Sequence, residues 1–254
     1  MSDDPMADEF DVVAAWTADV ALDLGPEFHV PAGCRGSGSP AGLMWLVEHL
    51  SLRPGEALLD VGAGVGGPAA FAEQYVGVHP VLTEPAAGAC RAARRLFPFP
   101  VLQASATALP FPDASSPAAW SLGVLCTIAR ERQEDALREM ARVVSRPGRL
   151  GLLVFVADRD PLPFQPAGNA FPTRVRLEQM LGRAGFAVRA EAVEADLAWS
   201  SDVFDGRAAA VEAELSRRHG DDERWQTAGR QSAAIGELIG RGDVVPTYLV
   251  LTRD

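Results

Sequence analysis

The stretch LLDVGAGVGGP at residues 58–68 constrains the fold of this chain more than any other part of the sequence. Four glycines follow a short apolar run that ends in Asp60. Glycine tolerates positive φ and lets a ligand approach the backbone where a Cβ would collide. A glycine loop between a strand and a helix lies at the carboxyl edge of the sheet, where doubly wound α/β folds bind ligands. The pattern fits GxGxxG and GxGxG equally well, so it predicts a ligand-binding loop without identifying the ligand.

Short apolar segments alternate with helical patterns after residue 56, which is typical of a parallel sheet wrapped by helices. We therefore predict a doubly wound α/β fold around a mostly parallel, seven-stranded sheet. The predicted strands are Ala57–Val61, Val78–Thr83, Val101–Gln103, Ala118–Leu122, Leu150–Val156, Phe186–Val193 and Thr247–Thr252.

Helical periodicity accounts for most of the remaining chain. The predicted helices are Phe10–Leu24, Gly42–Leu52, Glu131–Ser145, Arg174–Ala184 and a polar stretch at about Val203–Arg241. Arg146-Pro147-Gly148 is expected to end the third of them. The Gly, Ser and Pro content of residues 26–40 predicts a mobile loop.

These elements predict one domain at residues 1–254. Residues 1–55 are mainly helical, residues 56–157 carry most of the strands around the glycine loop, and residues 158–254 form the remaining half; we expect these to be an N-terminal helical lid, a cofactor-binding core and a substrate-side half. Within that half, residues 197–243 are expected to be a helical cover, because they are too polar to form core.

Composition excludes several classes of function. The net charge of −11 repels phosphate backbones, so we expect no nucleic-acid partner. The apolar runs are too short to span a bilayer, and the acidic start MSDDPMADEF lacks the order of a signal peptide, which favours a cytoplasmic protein. Three cysteines without metal-ligand spacing predict neither a metal site nor a disulfide framework.

An acidic residue closes the second predicted strand. Glu84 ends that strand in the sequence VLTEP. A carboxylate there accepts hydrogen bonds from ribose hydroxyls, whichever cofactor carries the ribose. At this point NAD and other ribose-bearing cofactors remain equally open.

The order of four motifs resembles one family. DVGAGVGG, the strand-ending Glu84, ALPFP and EMARVVSRPGRL follow one another as in class I S-adenosylmethionine-dependent methyltransferases of the small-molecule branch. The resemblance covers about residues 44–156. A NAD-binding fold would explain the glycines and Glu84, but neither Asp60 nor ALPFP.

The resemblance implies S-adenosyl-L-methionine as cofactor and a set of residues that bind it. The glycine loop lies against the methionine part, Glu84 holds the ribose, and Asp60 supports the loop and the amino group. Arg35 is a candidate partner of the cofactor carboxylate. The implied cofactor-binding residues are Arg35, Asp60, Gly62, Ala63, Gly64, Gly66, Glu84, Pro85, Ser105, Ala106 and Gly123.

The sequence departs from the family at two positions. Ser105 stands where the family has an aspartate for the adenine amino group, and a hydroxyl accepts that hydrogen bond without charge assistance. Residues 116–120 lack the Phe-Asp that often precedes the fourth strand. These departures leave a non-methylating, cyclase-like enzyme as the first alternative. A NAD-dependent oxidoreductase and a pure binding module are the second and third.

The chemistry implied is methyl transfer to an oxygen, nitrogen or carbon of a small organic molecule, plausibly in specialised-metabolite biosynthesis. Residues 122–127 carry neither an Asn/Asp-Pro-Pro-Tyr motif nor Pro-Cys, which agrees with a small-molecule acceptor. The candidate catalytic residues are His29 as a base and Cys126 as a substrate contact, with an exposed loop histidine and an inert buried thiol as alternatives. Trp199 and Phe204 are candidates for an apolar substrate pocket. We expect a monomer or homodimer.

Overall fold

A seven-stranded sheet lies at the centre of the computed structural model, which describes residues 9–198 and 201–253. Its strand order is β3-β2-β1-β4-β5-β7-β6, and β7 alone runs antiparallel to its neighbours. The mostly parallel, seven-stranded sheet predicted from the sequence is thereby confirmed. The strands β1 to β7 are Ala57–Val61, His79–Glu84, Val101–Gln103, Ser116–Leu122, Val144–Ala157, Ala187–Val193 and Val244–Arg253.

Helices cover both faces of this sheet. The helices α1 to α9 are Ala14–Leu24, His29–Gly33, Pro40–His49, Gly67–Val76, Ala87–Leu96, Gln133–Val143, Arg174–Ala184, Asp202–His219 and Glu223–Gly240. Alternate residues of β4 show the two layers. Ala118 and Trp120 pack in the core with α1, α3 and α4, whereas Ala119 packs with α6 and α7. Strands buried on both faces in this way explain why the apolar runs are continuous.

The boundary between α6 and β5 differs from the sequence prediction. The helix ends at Val143, and β5 begins at once with Val144, whose backbone is extended. Arg146-Pro147-Gly148 therefore lies inside β5 and does not end the helix. The consecutive β-branched Val143 and Val144 favour the change to strand, and pairing with β4 and β7 at either side of the segment holds it there.

The prediction of a loop at residues 26–40 was wrong over its first half. Pro26–Phe28 is a 3₁₀-helix and α2 follows directly, with Val30 and Gly33 buried. A Cβ on Gly33 would lie 2.7 Å from the Cα of Gly67, so the absence of side chains lets α2 pack against the start of α4. The N-terminal lid therefore contacts the glycine loop.

The polar stretch before β7 folds as the helices α8 and α9, which we call the cover. Contrary to the expectation that it contains no core, Val211, Leu215 and Trp225 are buried. The cover also contacts the lid, since His219 stacks on Trp16 with 4.0 Å between ring centroids. Trp199 lies outside the described residues. No helix in the described ranges combines the length and the apolar content needed to cross a membrane.

Candidate functional site

The glycine loop connects β1 to α4 at the carboxyl edge of the sheet. Gly62 has φ +76° and Gly64 has φ +55°, and a residue with a side chain adopts either angle only with strain. A Cβ on Gly62 would lie 2.4 Å from Val124 Cγ2, whereas a Cβ on Gly64 would meet no described atom within 4 Å. The loop is thus packed at Gly62 and open at Gly64.

Glu84 lies beside this loop with its carboxylate held by two backbone groups. Its Oε2 accepts a hydrogen bond from the Gly64 N–H at 3.0 Å, and its Oε1 accepts one from the Ala86 N–H at 2.9 Å. Burial raises the pKa of Glu84, and these two hydrogen bonds oppose that shift. Each carboxylate oxygen has a second lone pair, so Glu84 presents fixed acceptors to a ligand.

Asp60 is a second buried carboxyl group at the same edge. It is 2% exposed, and its Oδ2 has no hydrogen-bond partner among the described residues. Burial raises its pKa to about 7, the indole N–H of Trp120 lowers it without reaching hydrogen-bond geometry, and the charge of Glu84 raises it. A buried acceptor without a donor is costly, and it fits a donor supplied by a ligand.

The raised pKa of Asp60 predicts how stability depends on pH. Between the usual value of 3.8 and about 7, the folded state keeps a proton that the unfolded chain has lost. Asp60 therefore favours the folded state most at low pH, and this contribution declines as pH rises through that window. The side chain in Asp60→Asn stays neutral at every pH. We therefore expect the melting temperature of the variant minus that of the native protein to increase from pH 5 to pH 8. Parallel melting temperatures for the two proteins across this range would contradict the prediction.

An open cleft of about 280 Å³ lies next to these carboxylates. The loop after β3 forms one wall, and the segment after β4 forms the other. The cleft is lined by Gly62, Pro85, Ser105, Ala106, Thr107, Val124, Thr127, Ile128, Ala129 and Arg132. None of these ten residues is a carboxylate, histidine or cysteine, and Arg132 is the charged one among them.

The ALPFP and RVV motifs hold one wall of the cleft in place. The Leu109 N–H donates to Glu139 Oε1 at 2.7 Å, and Arg142 donates to the carbonyls of Leu109 and Phe111 at 3.0 and 2.8 Å. Arg142 also pairs with Asp113 at 2.7 Å. The sequence motifs thus fasten the loop after β3 to α6, which fixes the cleft wall.

This network predicts that Arg142→Gln destabilises the protein. The substitution removes the Arg142 hydrogen bonds to two backbone carbonyls and to Glu139, which keeps only the Leu109 N–H, and we expect a loss of about 1–3 kcal/mol in the free energy of unfolding. Urea unfolding measures it. Arg138→Gln is the matched control, because Arg138 is an exposed residue of the same helix whose ion pair with Glu134 is worth about 0–1 kcal/mol. Equal losses in the two variants would contradict the role given to Arg142.

The structure brings most of the sequence-predicted site residues together. Asp60, Gly62, Ala63, Gly64, Gly66 and Glu84 lie at the ends of β1 and β2, and Pro85, Ser105 and Ala106 line the cleft. Gly123 follows β4 with φ +73°, and a Cβ there would lie 2.9 Å from the Gly36 carbonyl oxygen of the lid.

Three further predicted residues are not among those that line the cleft. His29 is half-buried at the start of α2, where its ring meets Phe97 edge-on at 6.4 Å. Cys126 is buried with Phe171 and Leu238, and burial raises the pKa of its thiol to about 12, so it is protonated at neutral pH.

Arg35, the third of them, is held by the cover. Its Nε lies 3.5 Å from Glu212 Oε2, and its guanidinium lies 5.2 Å from the centre of the Trp225 ring. Phe204, a candidate for a substrate pocket, lies in α8 and packs against the core shared with the lid.

Six residues of the cleft are not among the site residues named from the sequence. Thr107 follows two residues that were predicted, and its position in the loop after β3 could have indicated it. The other five come from the segment after β4, which the fold brings to the glycine loop. These six are Thr107, Val124, Thr127, Ile128, Ala129 and Arg132. In the described part of the chain, no group of His, Cys, Asp and Glu side chains is arranged to hold a metal ion.

Comparisons with known proteins agree with this geometry. Residues 59–152 match the family model described as a methyltransferase domain. No curated protein sequence matches the chain.

Solved structures share the fold at low sequence identity. The [4+2]-cyclase SpnF is 22% identical, covering 83% of this chain and 79% of its own with a TM-score of 0.64. The cyclopropane synthase MmaA2 from Mycobacterium tuberculosis is 16% identical, covering 93% and 97% with a TM-score of 0.67. Geranyl diphosphate C-methyltransferase from Streptomyces coelicolor A3(2) is 14% identical, covering 84% and 76% with a TM-score of 0.62. At these identities the likeness establishes the fold alone.

Proposed function

Because residues 59–152 match a methyltransferase domain, we propose that the chain is a class I S-adenosylmethionine-dependent methyltransferase and that it methylates an oxygen, nitrogen or carbon atom of a small organic molecule in specialised-metabolite biosynthesis. The observation that carries the proposal is the group of three features at one sheet edge. These are the open position at Gly64, the two fixed oxygens of Glu84 and the unpartnered Oδ2 of Asp60.

The residues of this edge fit S-adenosylmethionine part by part. Glu84 offers acceptors for the two ribose hydroxyls. Asp60 offers a buried acceptor for the ammonium group, and Gly64 leaves room for the methionine part. The cleft beyond them, with Ser105 on one wall and Ile128 on the other, takes the purine base.

The chain's own contribution to catalysis is orientation and exclusion of water. The cofactor supplies an electrophilic methyl group on a sulfonium, and in-line displacement depends mainly on alignment. The lid passes close to Gly123, where an added Cβ would lie 2.9 Å from the Gly36 carbonyl oxygen. Among the described residues, no carboxylate, histidine or cysteine lines the cleft that takes the base, so that cleft contributes shape and no proton acceptor.

The acceptor has a largely apolar body in this proposal. Cys126, Phe171 and Leu238 form a buried apolar cluster beyond Gly123, with Phe155 packed against it. Geranyl diphosphate, which is bound in the structure of the Streptomyces coelicolor C-methyltransferase, has such a body.

We further propose that lid, core and cover form one cytoplasmic domain that acts as a monomer or homodimer, since the lid and the cover pack on the same sheet.

A cyclase that keeps the cofactor without consuming it is the second candidate. The structural likeness to the [4+2]-cyclase SpnF favours it. In that case the protein binds S-adenosylmethionine, but releases no S-adenosylhomocysteine while it converts its substrate.

Calorimetric titration with S-adenosylmethionine, S-adenosylhomocysteine and NAD tests the cofactor site first. We expect the first two to bind and NAD to show no heat of binding. A screen of apolar small molecules for release of S-adenosylhomocysteine then tests methyl transfer. Binding of NAD alone, or of none of the three, would overturn the proposal.

A further inference from the structure

The base end of the cleft has an unusual set of polar groups for a site that takes adenine. Ser105 and Thr107 on one wall carry hydroxyls, and Arg132 on the other carries a guanidinium. An adenine 6-amino group donates hydrogen bonds, and a carboxylate is the strongest acceptor for it. No carboxylate lies among the residues that line this cleft.

The hydroxyl groups of Ser105 and Thr107 already form a hydrogen bond with each other when no ligand is present. Ser105 Oγ accepts a hydrogen bond from the Thr107 N–H at 3.2 Å, and it lies 3.0 Å from Thr107 Oγ1, where either hydroxyl can donate. A ligand without an amino group therefore leaves no unpaired acceptor at Ser105. A carboxylate in the same place would give the amino group a charge-assisted acceptor, and a ligand without that group would forgo this hydrogen bond.

Arg132 adds a donor on the facing wall. Its Nε donates to Asp135 Oδ2 at 2.7 Å, which fixes the side chain beside the cleft. A guanidinium has no acceptor, so it cannot accept a hydrogen bond from an amino group either.

Taking the proposed cofactor site as its basis, we propose that Ser105 and Thr107 make this cleft indifferent to the 6-amino group of the purine. The site binds the base by its shape, between side chains of the two walls such as Ala106 and Ile128. It therefore accepts cofactor analogues whose purine lacks a substituent at C6.

Calorimetric titration of the full chain with S-adenosylhomocysteine and with its 6-deamino analogue tests this proposal. We expect the two dissociation constants to agree within about threefold, since the hydroxyl pair loses no hydrogen bond. Ser105→Asp installs the missing acceptor, and we expect it to favour S-adenosylhomocysteine by about tenfold or more. Ser115→Asp is the matched control, because it adds the same charge outside the cleft lining and is expected to leave the ratio unchanged.

The outcomes separate this proposal from the cofactor assignment. Binding of S-adenosylhomocysteine with about tenfold or weaker binding of the analogue by the native protein would overturn the indifference and leave the cofactor site standing. An unchanged ratio in Ser105→Asp would overturn the role of Ser105. If the native protein bound neither compound, the cofactor site and this proposal would fail together.

Discussion

Gly64→Leu is expected to weaken binding of S-adenosylmethionine by at least about 100-fold, equivalent to about 2.7 kcal/mol. The φ of +55° at Gly64 strains any side chain, and the added group extends into space that the protein itself leaves open. In our proposal the methionine part of the cofactor needs that space. Calorimetry on the purified variant measures the loss.

Gly55→Leu separates the loss of binding from backbone strain. Gly55 has φ +76° and also meets no described atom within 4 Å, but it lies before β1, at the opposite edge of the sheet. Both variants should lose about 1–2 kcal/mol of stability from the left-handed conformation. Only Gly64→Leu should lose affinity. Retained binding in that variant, or an equal loss in both, would show that the open position faces no ligand.

Glu84→Gln is expected to reduce affinity by about 30-fold or more, because charge-assisted hydrogen bonds to the ribose become neutral ones. The amide also turns its NH₂ toward one of the two backbone donors, Gly64 N–H or Ala86 N–H, that the carboxylate now accepts. Glu73→Gln, an exposed change on α4, is the matched control.

The 2′-deoxy form of S-adenosylhomocysteine makes this prediction specific to the ribose. Removal of the hydroxyl should cost affinity in the native protein and much less in Glu84→Gln, because the two changes remove the same contact. If the losses of binding free energy from the deoxy ligand and from Glu84→Gln are additive, Glu84 acts through the loop and does not contact the ribose.

The sequence predicts those elements best whose ends carry a local signal. β1, β3 and α7 begin and end at the predicted residues, since each coincides with a short apolar run or a terminal glycine. The predicted end of α6 was wrong because the true end at Val143 depends on pairing of the next residues with β4 and β7, which are distant in sequence. The loop prediction was wrong for residues 26–33 because the absence of a side chain at Gly33 allows close packing against Gly67 and does not make the segment flexible.

The candidate site divides in the same way. Asp60, Gly64 and Glu84 belong to contiguous motifs, so the sequence is sufficient to find them. Arg132 lies about 70 residues from the glycine loop, and no local pattern distinguishes it from the other arginines of the chain. The fold alone brings it to the cleft.

The cover starts and finishes at adjacent points of the sheet, because β6 ends at Val193 and that residue pairs with Thr247 near the start of β7. A segment whose two ends are already joined through strand pairing can change greatly in length at small entropic cost. In our proposal α9 of the cover contributes Leu238 to the surroundings of the acceptor, so the cover is a segment that can be exchanged to change the choice of acceptor. Evolution or engineering can replace it while the parallel half of the sheet keeps its cofactor chemistry.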